Sequence, residues 1–272
     1  MIGWPMMRDR VLHVVFDLVD GLHRNVMGRS HLPPWSLRYY VGAPHDFESI
    51  GAEFMVYLKL LLRLRPDERL LDIGCGCGMM ALQLRGYLSQ TGRYVGMDIS
   101  RRAIDWCQRH ITPTCPNYHF VHADIRNPRY NPIGSMLPEA YRFPFSDGEF
   151  DLVLLKSVFT HMRPAEAAHY LREIARLSSP SGRCLATFFL LNPEQAARAA
   201  SGLNRIDFRF SGEGEYRYAY PEMPERAIAY PEDALRTWAA SSGLKVEEVY
   251  FGTWSGRPDG LSYQDLVVFK TV

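Results

Sequence analysis

The sequence predicts an α/β fold: a seven-stranded, mostly parallel sheet with helices on both faces. A helical extension precedes it, and a hairpin or lid is inserted before its last helix. Three observations predict this. Leu70-Leu71-Asp72-Ile73 runs straight into glycines at 74, 76 and 78, and an apolar, helix-compatible run from Met79 to Leu88 follows, the order of strand, tight turn and helix. Short apolar runs then alternate with helical patterns along the chain. Phe150-Asp151-Leu152-Val153-Leu154-Leu155 is nearly continuous in apolar residues, as expected of a parallel strand buried on both faces.

The first helix opens near Pro5. Val11, Val14, Val15, Leu18 and Leu22 recur in it at helical spacing and are expected to pack on the main body, with covering the site or joining a second copy as the alternative. His31 to His45 reads as a loop rich in proline and aromatic residues. A second helix is expected over Ile50 to Leu64, with Phe54, Leu58, Leu61 and Leu62 inward. Pro66-Asp67-Glu68 turns the chain into the first strand. Residues 1–65 thus form an N-terminal helical cap, and 66–272 the main domain with an insertion at 192–230.

In the glycine turn, a helix start brings unpaired N–H groups and a partial positive charge. The glycines allow a sharp turn and close approach of a ligand, and Cys75 and Cys77 are small enough not to obstruct it. No Gly-Lys-Ser/Thr follows, so this is not a phosphate loop. Met79 stands where the dinucleotide fingerprint has its last glycine. The plain alternative is a β-to-α turn with no ligand.

A second strand spans Tyr94 to Ile99, and Ser100 caps a helix running to His110. Asp98 follows Gly74 by 24 residues. An acid at this strand tip can accept hydrogen bonds from both ribose hydroxyls of an adenosine, or can cap its own helix. The third strand, His119 to His122, ends at Ala123-Asp124-Ile125. Residues 126–146 form a proline-broken crossover. The fourth strand ends at Lys156-Ser157-Val158-Phe159-Thr160-His161-Met162, which should face ligands at the carboxyl end of the sheet. Pro164 opens a helix to Leu177 with Ala168, Leu171 and Ile174 or Ala175 inward. Pro180-Ser181-Gly182 is a turn, and Cys184 to Leu191 is the fifth strand. The last helix is expected at Pro231 to Ser242, and the closing strands at Val246 to Phe251 and Leu266 to Lys270. The roughly 40 residues before that helix hold two aromatic-alternating arms, 207–210 and 216–220, around a glycine-bearing centre, the signature of a hairpin that serves as lid, substrate wall or dimer arm.

With Asp72 before the glycines, residues 70–78, then 94–99, 118–125 and 150–162, taken in that order, closely resemble the motifs of class I S-adenosylmethionine-dependent methyltransferases. The resemblance is clearest from Leu70 to Leu191. It implies a Rossmann-like domain with S-adenosylmethionine as cofactor, held by Asp72, Gly74, Cys75, Gly76, Gly78, Lys156 and Ser157. It further implies Asp98 on the ribose, Asp124 on the adenine amine, and Ile99 and Ile125 against the ring. The chain departs from the minimal family pattern at 1–65 and 191–233, where such enzymes differ in substrate. The phrase Ser157-Val158-Phe159-Thr160-His161 looks like bacterial members met near carbohydrate and natural-product pathways.

Methyl transfer from a sulfonium is a direct displacement, which calls for alignment and, for an oxygen or nitrogen acceptor, sometimes a base. His161, just past the buried strand, is the candidate base, with substrate orientation or a structural hydrogen bond as alternatives. Tyr39, Tyr40 and His45 in the cap, and Tyr216 and Tyr218 in the insertion, are candidates for contacting substrate; these five and Tyr220 are also the weaker candidates for the base. No metal set is expected. Cys75-X-Cys77 lies inside the turn, and His119 and His122, three apart on a strand, point to opposite faces.

Composition narrows the partners. The 272 residues carry net charge +1 and are 47% hydrophobic, enough for a sizeable core and unlike a disordered chain. The charge balance, with no basic tract and no Asn-Pro-Pro-Tyr-like motif, points away from nucleic acid. Five cysteines without a secreted framework suggest a reducing, cytoplasmic setting. No apolar run approaches a membrane span, and charges at Arg8, Asp9, Arg10 and Asp17 make a poor signal peptide. The expectation is an enzyme acting on a small molecule, as monomer or homodimer. A nicotinamide-dependent oxidoreductase and a non-catalytic partner subunit are the alternatives.

Overall fold

The computed structural model describes residues 4–39, 44–212 and 216–272; in residues 4–11, 199 and 200 only the backbone is described. Helices α1 (Trp4–Val26), α2 (Trp35–Tyr39) and α3 (Phe47–Leu60) come first. The alternating part is β1 (Arg69–Ile73), α4 (Met79–Leu84), β2 (Arg93–Asp98), α5 (Arg101–His110), β3 (Tyr118–His122), β4 (Phe150–Leu155), α6 (Pro164–Leu177) and β5 (Ser178–Phe188). An inserted stretch contains β6 (Leu190–Leu191), α7 (Pro193–Ala200), β7 (Phe210–Ser211), β8 (Arg217–Tyr218) and β9 (Ile228–Pro231). The chain ends in α8 (Glu232–Ser241), β10 (Leu244–Tyr250) and β11 (Asp265–Thr271).

Seven strands form one sheet in the order β10-β11-β5-β4-β1-β2-β3, as expected of a Rossmann-like fold. Neighbours from β5 to β3 are parallel, and β11 alone runs antiparallel to both its partners. Connections from β1 lead outward to β2 and β3 on one side and, through β4, to β5 on the other. The strand order therefore reverses between β1 and β4, where a crevice opens at the carboxyl ends.

Alternation along the strands divides the core. Leu70, Leu152 and Leu154 face a layer with Phe54, Leu58, Met80 and Ile104. Leu71, Ile73, Val153 and Leu155 face one with Leu171, Ile174, Leu235 and Ala239. This period of two is why a near-continuous apolar strand needs helices on both faces. A third cluster, Phe189, Phe208, Ala227, Ala229 and Trp254, lies under the inserted stretch, whose four short strands form a second sheet, β6-β9-β8-β7.

Several expected elements take a different form. Helix α1 exists, but its apolar face does not pack inward: Val14, Val15, Leu18 and Leu22 are 50–70% exposed, while the side chain of Val11 lies outside the described residues. The polar face is the anchored one. Asp17 accepts bonds from the Ser36 amide (2.8 Å) and hydroxyl (2.7 Å), and Asp20 pairs with Arg24 and Arg38. Helical spacing identifies a face; which way it turns depends on donors elsewhere, here those of α2, a short helix inside the expected loop. Helix α3 starts earlier, at Phe47, and ends at Leu60, though Phe54, Leu58 and Leu62 are buried as expected and Leu61 is half-buried. Helix α4 stops at Leu84, just before Gly86 at φ +77°. In α6, Ala167 is buried and Ala168 only half-buried. Residues 180–182 form no separate turn; they bulge within β5, between the pairs Phe150–Ser178 and Leu152–Arg183. The expected fifth strand divides after Phe188, and Leu190 leaves for the second sheet while its amide donates to Asp265 at 2.6 Å. The hairpin is confined to two residue pairs, Phe210–Tyr218 and Ser211–Arg217, and α7 was not anticipated.

Glu68 is buried at the foot of the sheet. Its carboxylate meets both terminal nitrogens of Arg183 at 2.9–3.0 Å and the Arg65 amide at 2.9 Å. Arg183 also donates to the Leu62 carbonyl, so one pair joins the exit of α3 to β1 and β5. Removing one member leaves the other desolvated and unpaired. Glu68→Ala is therefore expected to cost about 3 kcal/mol in urea unfolding, and an unchanged midpoint would refute this linkage.

Candidate active site at the carboxyl end of the sheet

The turn after β1 is tied to the tip of β2 by backbone geometry. The Gly74 and Cys75 amides both donate to the Met97 carbonyl, at 2.7 and 3.1 Å. Gly74, Gly76 and Gly78 have φ of +77°, +53° and +83°, the left-handed region that glycine enters without steric cost. At Gly74 a Cβ would also lie 2.5 Å from Cγ2 of Val158, so the turn presses against the segment after β4. That segment is itself constrained. Ser157 is left-handed at φ +56°, its amide donates to Thr187 at 2.7 Å, and its hydroxyl donates to Gln264 at 3.0 Å. Non-glycine residues in this region are uncommon and concentrate at functional sites.

Asp98 closes the tip of β2. One carboxylate oxygen accepts from the Gly76 amide (2.8 Å) and the other from the Ser100 amide (2.7 Å). The Ser100 hydroxyl in turn caps α5 through the Ala103 amide. Burial raises Asp98 above the ordinary carboxylate range, and the two amides oppose this. Behind it, Asp72 is buried and accepts from the Tyr94 hydroxyl at 2.6 Å; desolvation pushes it up to about 7. Burial lowers Lys156, whose charge is held up by Asp72 and Glu53.

These groups line a cavity of about 600 Å³ between the β1 and β4 ends. Asp72, Gly74, Cys75, Gly76, Asp98, Ile99, Ile125, Lys156, Ser157, His161 and Tyr39 all reach it, as does Tyr220 from the insertion. Gly78 contributes as the hinge into α4 rather than as wall. Asp124 is off the wall: it is exposed and accepts from the Ser135 hydroxyl at 2.6 Å. His45 is exposed beside Asp46, and Tyr216 and Tyr218 pack in the inserted stretch away from the cavity; Tyr40 lies outside the described residues. Strand alternation would put Tyr218 and Tyr220 on one face, but β8 ends at Tyr218, which packs on Phe210 across the strand pair, and Tyr220, beyond the strand, reaches the cavity. Among the described residues, no three His, Cys, Asp or Glu side chains gather as a metal set.

His161 sits in the wall between two segments. Its Nδ1 is 2.9 Å from the Glu225 carbonyl, which can only accept, so Nδ1 carries the proton. Nε2 then presents a lone pair, 3.4 Å from the Tyr130 hydroxyl. Burial is the main cause that lowers the imidazole from 6.5 to about 4, and the nearby Arg129 charge adds to it. Tyr130, Arg126, Arg129 and Arg226 also line the cavity and were not singled out from sequence. A trace of the first three is legible in Ile125-Arg126-Asn127-Pro128-Arg129-Tyr130, where basic and aromatic residues sit among turn formers directly after a strand end.

Two expectations follow. Gly74→Ala should lower thermal stability and ligand affinity together, because a left-handed backbone and a blocked Cβ coincide there. Gly148→Ala, left-handed but with open space around it, should cost only about 1 kcal/mol of backbone strain. For His161, the unfolded chain binds a proton below about 6.5, but the folded chain does so only near 4. In that window the unfolded state holds more protons, so stability falls as pH falls, by at most about 3 kcal/mol. Denaturant unfolding from pH 7 to 4 should show a shallower loss in His161→Gln than in the wild type; parallel curves would refute it.

Comparison with known proteins agrees with this geometry. Residues 70–182 match the family model described as "Methyltransferase domain". The chain is 29% identical over 140 residues to the 27-O-demethylrifamycin SV methyltransferase of Amycolatopsis mediterranei, across 52% of this chain and 45% of that one. It spans about half the length of the curated relatives it matches first, from 40% to 64%. The PH0226 protein of Pyrococcus horikoshii shares the fold at TM-score 0.57 and 17% identity, over 84% of this chain and 92% of that one. The 1,6-didemethyltoxoflavin-N1-methyltransferase of Burkholderia thailandensis does so at 0.51 and 16%, over 100% and 92%. The glycine turn joined to Asp98, the sheet order and the match over residues 70–182 are together those of the class I S-adenosylmethionine-dependent methyltransferases that this chain resembles.

Proposed function

We propose that the protein transfers a methyl group from S-adenosylmethionine to an oxygen or nitrogen of a small-molecule acceptor, such as a carbohydrate or natural-product intermediate. The observation that carries this reading is the Asp98 carboxylate in the cavity wall beside the left-handed 74–76 turn. Each oxygen has one backbone amide and keeps a further lone pair, which suits a ribose diol. Ile99 and Ile125 offer apolar surface to an adenine ring, and the 74–76 backbone, Asp72, Lys156 and Ser157 bound the methionine end. The donor set therefore fits the cofactor. When bound, that cofactor supplies a methyl group on a sulfonium, already activated for direct displacement.

The chain's part is alignment and exclusion of water. Leu37 and Tyr39 close the cavity from the N-terminal helices; Phe189, Ile206 and Tyr220 close it from the inserted stretch. His161 has its Nδ1 proton committed to Glu225, so its Nε2 lone pair accepts a bond from the hydroxyl or amine of the acceptor in place of the Tyr130 hydroxyl, and orients it. With an imidazole near 4, this role is alignment more than proton removal. The likeness to a methyltransferase named for a rifamycin supports a small acceptor.

Calorimetric titration tests the reading. S-adenosylmethionine and S-adenosylhomocysteine are expected to bind with micromolar affinity, and a nicotinamide dinucleotide not at all. Asp98→Ala should weaken both adenosyl ligands by about tenfold or more, the worth of a charged hydrogen bond. Unchanged affinity would remove Asp98 from the site, and binding of the dinucleotide instead would replace the cofactor assignment.

A further inference from the structure

Two arginines are chain neighbours of the residues that contact the two ring nitrogens of His161. Arg129 is adjacent to Tyr130, whose hydroxyl faces Nε2, and its guanidinium lies 5.0 Å from the centre of the Tyr130 ring. Arg226 is adjacent to Glu225, whose carbonyl holds Nδ1, and its guanidinium lies 4.0 Å over the Tyr220 ring. Both arginines and both tyrosines line the cavity, and Arg126 joins them from the same loop as Arg129. That loop is shaped by Asn127, whose side-chain oxygen accepts from the Arg129 and Tyr130 amides at 3.0 Å.

The nearby carboxylates are already engaged. Glu225 is buried and takes Arg163 at 2.8 Å; Glu166 takes the Arg163 amide at 2.7 Å; Asp98 holds two amides. Among the described residues, no carboxylate lies within salt-bridge distance of Arg126, Arg129 or Arg226. A guanidinium stacked on an aromatic ring loses part of its freedom in advance and keeps its N–H edge for a planar or tetrahedral anion. Cations in a cavity wall with no carboxylate within salt-bridge distance of them favour a ligand that brings the charge with it.

We propose that the acceptor carries an anionic group, a carboxylate or phosphate, which Arg129 and Arg226 grip beside His161, with Arg126 at the rim. The proposal rests on the methyl-transfer reading and deepens it by naming the acceptor class. Holding the anion there anchors the acceptor beside Nε2 of His161, so one end of the molecule is bound by charge and the other is left to react.

The test uses full-length protein saturated with S-adenosylhomocysteine and titrated with three probes of similar size: benzoate, phenyl phosphate and neutral benzyl alcohol. At least one anion is expected to bind in the millimolar range or better, about tenfold or more tighter than the alcohol. The stronger of the two anions identifies the group. Arg129→Gln and Arg226→Gln should each weaken the anion by about tenfold and leave S-adenosylhomocysteine unchanged. Arg85→Gln, exposed and away from the cavity, should change neither. Equal binding of the alcohol, no binding of either anion, or variants that retain the anion would overturn the proposal while methyl transfer stands. Loss of S-adenosylhomocysteine affinity in the arginine variants would also overturn it, assigning the guanidiniums to the cofactor's own carboxylate. If the wild type fails to bind S-adenosylhomocysteine, the underlying reading falls and the proposal with it.

Discussion

The bonds from Gly74 and Cys75 to the Met97 carbonyl, and from Gly76 to Asp98, hold the site together. They make the turn after β1 and the tip of β2 one rigid piece. The turn can lie that close only because its residues have left-handed backbones and because Gly74 has no Cβ to meet Val158. The strained Ser157 is the matching piece on β4, held by Thr187 of β5 and by Gln264 just before β11. Four strands thus set the floor of one cavity through backbone contacts, the least mobile way to position a ligand.

The walls are built differently. Around the floor stand α2, the 126–130 loop and the inserted stretch, none of them part of the main sheet. Each is fixed by a polar device: Asp17 to Ser36, Asn127 to its own loop, and Asp265 to the Gly252 and Leu190 amides and the Trp254 indole. Asp265 is buried at the start of β11 and accepts from Leu190 of β6, so it couples the second sheet to the first. Such devices let wall sequences vary while the floor stays the same, which is how one fold accommodates different substrates.

Electrostatics separates the two ends of the cavity. Acids dominate where β1 and β2 end, and Lys156 is set against Asp72 and Glu53. Cations dominate near His161, where burial and Arg129 keep the ring neutral. Neutral histidine and gathered guanidiniums belong together, since an uncharged ring adds no repulsion and offers a lone pair.

The floor was legible in the sequence because it depends on local chemistry. Three glycines after Asp72, an acid 24 residues past Gly74 and an apolar strand before Lys156 each state their own backbone geometry, and the fold assembled from them as expected. The walls were not legible in the same way. Asp124 has the right place in the chain, yet its carboxylate turns to Ser135; Tyr218 and Tyr220 share a pattern, yet only Tyr220 reaches the cavity. The valines of α1 mark a face that the carboxylates of Asp17 and Asp20 turn away from the body. Tyr130, Arg129 and Arg226 meet around His161 although about 65 to 100 residues separate the insertion from the other two segments. Local sequence determined the strands, the glycine turn and the acid beside it, because steric limits and periodicity act between near neighbours. Only the tertiary structure decided which side chains face the cavity, because hydrogen-bond partners and burial come from residues far away in the chain.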